Sequence, residues 1–317
     1  MELFALHLVV FDEGNGPRVS VIIPTYGDSE YVDGSIESVA NQTYSDIEVV
    51  IVDSTGVDRL ANLSVVGVDI EYVYQEPSGL GAARNTGIER ATGDVVGFLD
   101  ADDRWLPSKV QWQLEVMRGG VDFVYGDAYD VREGTRFPMS SISVGDSKTL
   151  YRRFFLEGGI PCPTVMARRE CFDRHTFDES LSALEDRHLW VRLLHDFTPG
   201  CVPKPLAKYV RRDDSMSSDP ELMYESELQV IDDLTNRYKD LQSYRQQAVL
   251  RAKYEYGKRL IRAGRTREAR SVLLEVLRRR PTDTKTLALT ATALAPIGNQ
   301  TLLRWLEAGV GRKRSSR

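Results

Sequence analysis

An α/β protein with a mostly parallel, helix-flanked sheet, followed by a C-terminal α-helical extension, is what three features of this sequence predict. Between residues 18 and 100, β-rich runs alternate with helix-like stretches at intervals of roughly 25 to 30 residues, the spacing of βαβ units. Two of those runs end in carboxylates, at Asp53 and at Asp100-Ala101-Asp102-Asp103. From about residue 220 the β-rich runs stop and charged segments of helical period take over.

The elements follow in order. Arg18 to Tyr26 is β-rich and ends on Pro24-Thr25-Tyr26, the profile of a buried first strand. Val32, Ile36 and Val39 recur at helical spacing. Ile47 to Asp53 is a second strand and the alternating Val68 to Tyr74 a third. Gly79 to Ile88 opens a helix, and its G-x-G lacks the third glycine of a dinucleotide fingerprint. Val95 to Asp100 makes the fourth strand. Asp103 precedes a helical stretch that starts near Trp105-Leu106-Pro107 and is placed to be its N-cap. Val121 to Asp127 is a further strand. Leu189, Val191, Leu193 and Leu194 form an apolar helix face with Glu185 and Asp186 at its N-terminal end.

Three carboxylates within four positions repel one another, each raising the next one's pKa unless a cation sits between them. Side chains in extended chain alternate with period two, so Asp100 and Asp102 point the same way. Such a pair suits Mg²⁺ or Mn²⁺, which take oxygen ligands and complete their shell with water and phosphate. An isolated acidic cluster after a strand is more often a solvated turn or a helix cap. Convergence tips the balance, because in parallel sheets ligands bind beyond the carboxyl ends of the strands, where Pro24-Thr25-Tyr26, Asp53 and Asp100 to Asp102 should all lie.

Composition sets the class. At 317 residues and 42% hydrophobic content the chain can bury a substantial core, and a net charge of −6 argues against a nucleic-acid partner held by a basic face. Cys162, Cys171 and Cys201 cannot all pair and show no metal spacing, so a reducing cytoplasm is the default. Residues 1–11 are apolar but lack a basic n-region and a cleavage site, a poor signal peptide. No run reaches about 18 uninterrupted apolar residues, so contact with the cytoplasmic face of a membrane would be peripheral.

Taken together, Val21-Ile22-Ile23-Pro24-Thr25-Tyr26, Val52-Asp53, Gly81 to Ile88 and Phe98 to Asp103 resemble, in order and spacing, the nucleotide-binding half of a family 2 glycosyltransferase with the GT-A (Rossmann-like) fold. The resemblance covers about residues 18 to 215. It implies an inverting, metal-dependent transfer from a nucleoside-diphosphate sugar, a UDP-sugar by expectation, to a hydroxyl of a glycan or lipid-linked saccharide. It places Pro24, Thr25, Tyr26, Asp53, Gly81, Arg84, Asn85, Asp100, Ala101 and Asp102 on the donor, with Asp53 reading the base and Asp100 and Asp102 on the metal. It places Cys162, Pro163, Thr164, Glu185 and Trp190 on the acceptor side, and Asp186 as general base. Gly27 and Ser54 depart from the family pattern, which has an asparagine and an acid there.

Some readings stay open. Helix capping alone accounts for Glu185-Asp186, and only the resemblance makes Asp186 a base. Arg211-Arg212 suits equally a loop closing over a diphosphate and a solvated turn. The domains expected are an N-terminal extension (1–17), the transferase domain (18–217) and a helical region (218–317). In that region Tyr256-Gly257, Ala269 and Pro281 faintly resemble one tetratricopeptide-type hairpin. It packs on the enzyme, meets a partner, or lies on a membrane through Leu302, Leu303, Trp305 and the terminal arginines. The competing functions are a nucleotidyltransferase, for which no early glycine-rich loop with a basic residue is evident, and a catalytically silent binding or scaffold protein.

Overall fold

The computed structural model describes residues 16–26, 31–56, 58–61, 63–132, 135–138, 147–211 and 215–294. The expectations for residues 1–15, Gly27, Arg212, Leu302, Leu303, Trp305 and the terminal arginines lie outside the described residues. The chain forms two compact units. One holds the residues up to 154 with 158–180 and 185–211; the other holds 155–157, 181–184 and the chain from 212.

The first unit is built on one sheet. Its parallel half carries the expected alternation: β1 (Val19–Thr25), α1 (Val32–Ala40), β2 (Ile47–Asp53), α2 (Asp58–Ala61), β3 (Asp69–Tyr74), α3 (Leu80–Arg90) and β4 (Val95–Phe98). Strands run in the order β3-β2-β1-β4, all parallel, and β1 and β2 are buried from end to end, as continuous Val/Ile runs require. Register fixes the rim: Thr25 lies opposite Asp53 and Asp53 opposite Tyr74. The Leu99 amide donates to the Ile22 carbonyl at 3.0 Å, so the acidic turn leaves the sheet beside them.

Beyond β4 the sheet changes character. β5 (Arg104–Trp105), α4 (Lys109–Met117), β6 (Phe123–Arg132), β7 (Thr135–Pro138), α5 (Ser147–Glu157), β8 (Met166–Arg168), α6 (Glu170–Arg174), α7 (Glu185–Asp196) and β9 (Pro199–Val210) follow. The path β4-β8-β6-β9-β5 is mixed: only β6 and β9 pair in parallel, while β4–β8, β8–β6 and β9–β5 are antiparallel and β7 pairs antiparallel with β6. The sheet is therefore parallel through β4 and mixed thereafter. Side chains of alternating β1 and β2 residues pack against Ile36 and Val39 on one face, while Val50, Val52 and Ala83 fill the other. Gly87 admits α3 close to the sheet: a Cβ there would stand 2.4 Å from Ile22 Cγ2.

Asp103 is not the helix cap that the sequence suggested. A two-residue strand intervenes, α4 starts at Lys109 after Ser108, and the Asp103 carboxylate is fully buried, accepting from the Val210 amide at 2.9 Å.

The second unit contains α8 (Pro220–Arg237), α9 (Arg245–Arg262), α10 (Thr266–Arg279) and α11 (Thr284–Leu294). Leu260, Ile261, Ala269, Leu273, Leu289 and Ala293 make its core. Gly264, with φ of 76°, ends α9, and Gly257 lets it approach Leu273, the hairpin read from the sequence.

Candidate active site

The rim of the parallel half gathers Thr25, Tyr26 and Asp53, three of the residues predicted for the donor side. Thr25 is buried and its hydroxyl has no hydrogen-bond partner, while Tyr26 beside it is 70% exposed. Asp53 is fully buried. Its Oδ1 accepts from the Thr55 amide and hydroxyl (2.7 and 2.5 Å) and its Oδ2 from the Gly56 amide and Tyr72 hydroxyl (3.1 and 2.9 Å). A carboxylate accepting four bonds shapes the 54–56 turn that forms this end of the rim.

Arg84 joins the rim to the rest of the site. Its side chain is 2% exposed; one Nη donates to Asp100 Oδ1 at 2.7 Å and the other to Glu185 Oε1, while the Phe177 ring lies 5.4 Å from the guanidinium. Burial works against the charge, yet Asp100, Glu185 and Asp186 outweigh it and hold Arg84 firmly protonated. Residues 84, 100 and 185, distant in sequence, thus meet at one buried cation.

Glu185 and Asp186 open α7, where the helix dipole favours acids. Leu184 before them has φ of 63°, uncommon for a leucine and a local strain at the helix entry. Asp186 is partly exposed and its Oδ1 accepts from the Arg187 amide at 2.6 Å. Burial first, then the charge of Glu185, pushes its carboxyl up to about 7, against the pull of Arg84.

Other members of the predicted set are buried or bonded to neighbouring protein. Asn85 holds the 177–179 segment: its amide donates to the Phe177 carbonyl (3.0 Å) and Glu179 (2.8 Å), and its oxygen accepts from the Phe177 amide (2.9 Å). Gly81 lies against the same segment, where a Cβ would be 3.2 Å from the Asp178 carbonyl oxygen. Pro24 and Ala101 are buried in the sheet edge and the acidic turn. Cys162, Pro163 and Thr164 form a short buried 3₁₀ turn, and the Thr164 carbonyl accepts from Gln113 at 2.8 Å. The Cys162 thiol is pushed up by burial, with Arg84 pulling the other way and Asp100 and Asp186 adding to the rise, which locates it beside the site. Trp190 is 2% exposed within an aromatic cluster with Phe98, Phe123 and Phe177, so it is a core residue rather than part of an open acceptor surface. Arg211 donates to Asp130 at 2.9 Å, which ties the end of β9 to β6.

Three neighbours of the predicted site residues are not singled out by the sequence. Tyr74, half exposed where β3 ends beside Asp53, extends the rim. Tyr72 braces Asp53 from the same face of the strand. The alternation of Val68 to Tyr74 carries that signal, once β3 is known to end at the same edge. Asp130 has no local signal, because its partner Arg211 is 81 residues away.

Three carboxylates crowd the acidic turn. Burial, then repulsion from Asp100 and Asp102, drives the Asp103 carboxyl well above the usual carboxylate range. Among the described residues no group of three or more His, Cys, Asp or Glu side chains could hold a metal by itself. Asp100 and Asp102 would therefore supply two oxygens, leaving the remaining positions to diphosphate and water, which is how Mg²⁺ and Mn²⁺ are commonly bound.

Residues 20–176 match the family model for glycosyl transferase family 2. The chain is 30% identical over 182 residues to a UDP-Glc:α-D-GlcNAc-diphosphoundecaprenol β-1,3-glucosyltransferase of Escherichia coli, covering 56% of this chain and 70% of the relative. It is 32% identical over 211 residues to a putative teichuronic acid biosynthesis glycosyltransferase of Bacillus subtilis, covering 64% and 82%. Uncharacterized glycosyltransferases of Rickettsia also match, the one from Rickettsia conorii at 29% over 198 residues, or 61% of this chain; the chain spans about a third of the length of these proteins. Among solved structures, S. aureus TarS in complex with UDP-GlcNAc superposes with a TM-score of 0.57 at 20% identity, over 87% of this chain and 79% of that one. The mannosyltransferase PcManGT of Pyrobaculum calidifontis with GDP-Man and Mn²⁺ gives 0.57 at 18%, over 93% and 86%. These likenesses establish the GT-A-like fold.

Proposed function

The chain belongs to glycosyl transferase family 2, and on that premise we propose that it moves a sugar, with inversion, from a UDP-sugar to a hydroxyl of a glycan or lipid-linked saccharide. The observation that carries this reading is the single buried Arg84 bonded to both Asp100 at the sheet rim and Glu185 at the start of α7. That junction couples the donor side to the residue beside Glu185 that must take a proton.

The rim formed by Thr25, Tyr26, Asp53 and Tyr74 receives the nucleoside. Tyr26 and Tyr74 offer exposed rings for stacking. The four-bonded Asp53 holds the 54–56 turn in shape, and reads a base N–H only by sharing an oxygen that already has partners. Asp100 and Asp102 would hold Mg²⁺ or Mn²⁺, which would supply positive charge against the leaving diphosphate. Asp186 is the general base. A carboxyl raised to about 7 accepts a proton more readily than an ordinary aspartate and still ionises near neutral pH. It deprotonates the acceptor hydroxyl as that oxygen attacks the anomeric carbon from the face opposite the diphosphate, and one displacement inverts the centre. The relative that acts on a diphosphoundecaprenol-linked sugar supports a lipid-linked acceptor, and a base at Asp186 favours a hydroxyl over an already ionised phosphate.

The test combines donor binding with turnover. UDP-glucose, UDP-GlcNAc and GDP-mannose are screened by thermal shift with Mn²⁺, with Mn²⁺ plus EDTA, and against Asp102→Asn, since a ligand of the native state raises its melting point. At least one should shift the wild type only when metal is free and should fail to shift the variant. Asp186→Asn should retain that shift and lose turnover by about two to four orders of magnitude. A protein that binds no nucleotide sugar, or an Asp186→Asn variant with unchanged turnover, refutes the reading and favours a scaffold.

A further inference from the structure

The overall charge of −6 conceals a division along the chain. Residues 245–317 carry 18 Lys and Arg against 5 Asp and Glu, whereas residues 1–244 carry 23 against 42. Within the described helices α9 to α11, residues 245–294, the count is 13 basic to 4 acidic. Part of that charge is used internally: Arg245 pairs with Asp232, Arg251 and Lys258 with Glu255, Lys253 with Glu275, and Arg265 with Glu221 and Glu268. Arg267, Arg278, Arg279 and Lys285 are exposed and make no ion pair among the described residues.

Exposed leucines accompany these cations. Arg267, Ser271, Leu274 and Arg278 follow one another at helical spacing along the exposed stripe of α10, with Leu274 39% exposed. On α11 the exposed stripe is Leu287, Ala291 and Leu294, with the leucines 44% and 55% exposed. A soluble polyanion would gain nothing from the leucines, and an apolar protein groove nothing from the arginines. A bilayer surface uses both, because leucines enter the headgroup boundary while long basic side chains reach the lipid phosphates.

We propose that the α10–α11 face of the helical unit is a docking surface for an anionic lipid bilayer. Its contacts are the phosphates met by Arg267 and Arg278, with Arg279 and Lys285 flanking at the α10–α11 connection, and the shallow apolar layer met by Leu274, Leu287 and Leu294. The surface is peripheral, since no described helix is long and apolar enough to cross a membrane. This inference goes beyond the glycosyl-transfer reading and does not depend on it: lipid binding can be lost while donor binding stands, and the reverse.

The experiment is co-sedimentation of the full chain with vesicles of phosphatidylcholine alone and of phosphatidylcholine with 30–40% phosphatidylglycerol (about that range), at about 50 and 500 mM salt. Binding should require phosphatidylglycerol and weaken in high salt. Neutralising Arg267, Arg278, Arg279 and Lys285 to Gln together should lower partitioning at low salt by about 600-fold, at roughly five-fold per charge. Leu274→Ser with Leu287→Ser should weaken it at both salt levels. Because all these side chains are exposed, melting temperature and the nucleotide-sugar shift should stay at wild-type values. Equal sedimentation with both vesicle types, unchanged binding by the quadruple variant, or equally tight salt-sensitive binding of duplex DNA or polyphosphate that survives the leucine changes overturns the proposal.

Discussion

Replacing Arg84 by Met removes one cation and leaves two carboxylates facing each other across its place. Glu185 is the costlier of the two, because its side chain is 5% exposed, whereas Asp100 at 27% keeps part of its solvent. Deleting one partner of a buried pair costs about 3–5 kcal/mol; with only Glu185 deeply buried, the expected loss is about 3 kcal/mol. For a unit of this size that lowers the melting temperature by roughly 6–12 °C. Asp186 also loses the positive neighbour that restrains its pKa, so the acid limb of the rate profile should move to higher pH. Arg84→Lys, which keeps the charge but cannot fork between two carboxylates, should fall between wild type and Met. Melting curves at pH 5 and pH 8 and a pH–rate profile read all of this. A Met variant that melts within 2 °C (about 0.5 kcal/mol) of wild type at pH 8 would show that the junction neither holds the fold nor tunes the base.

Three further substitutions test separate parts of the structure. Asp186 binds its proton more tightly folded than unfolded, so its ionisation costs stability as pH rises from about 4 through 7; Asp186→Asn should gain about 2 kcal/mol at pH 8 and nothing at pH 4, by denaturant titration. Glu48 has the opposite sign: burial would raise its carboxyl, but bonds from Ser20 and Thr92 and the charge of Arg18 bring it down to about 2. It therefore contributes stability above about pH 4.5 that fades toward pH 2, and Glu48→Gln should cost about 2 kcal/mol at pH 7 and little at pH 2, read from urea midpoints. Gly87→Ala should destabilise by about 1–3 kcal/mol, because the new methyl would meet Ile22 where α3 lies on β1; an unchanged melting point would show that the helix shifts freely.

The parallel half of the sheet was legible because its information is local. Val19 to Thr25 and Ile47 to Asp53 are rich in Val and Ile, and their ends coincide with Thr25 and Asp53 in register. The mixed half was not, since β8 has three residues and β5 two, too short for any periodicity, and their pairing depends on partners up to 104 residues away. The same limit explains Asp103. Nearby residues make it a plausible helix cap, and only the distant Val210 amide reveals its use. Trp190 and Asn85 carried the right family pattern, but spacing alone does not distinguish a side chain that lines a site from one that holds its wall.

That distinction bears on how the site works. Asp53, Asn85, Asp103 and Trp190 spend their hydrogen bonds or ring faces on neighbouring protein, fixing the 54–56 turn, the 177–179 segment, the end of β9 and the floor beneath α7. Asp100 and Asp186 stand differently: Asp100 is partly exposed and bonded to Arg84, and burial with the charge of Glu185 holds the Asp186 carboxyl up, with Arg84 as the buried guanidinium beside both. If the site acts as proposed, it cannot satisfy all its acids internally, because nothing would then be left to hold a metal against a diphosphate leaving group or to accept the proton. One guanidinium shared between Asp100 and Glu185 holds the two ends of the cluster together. On the proposed function, a nucleotide sugar arriving with its cation would add positive charge beside the same residue, so that stability, donor binding and the pKa of Asp186 would all depend on Arg84.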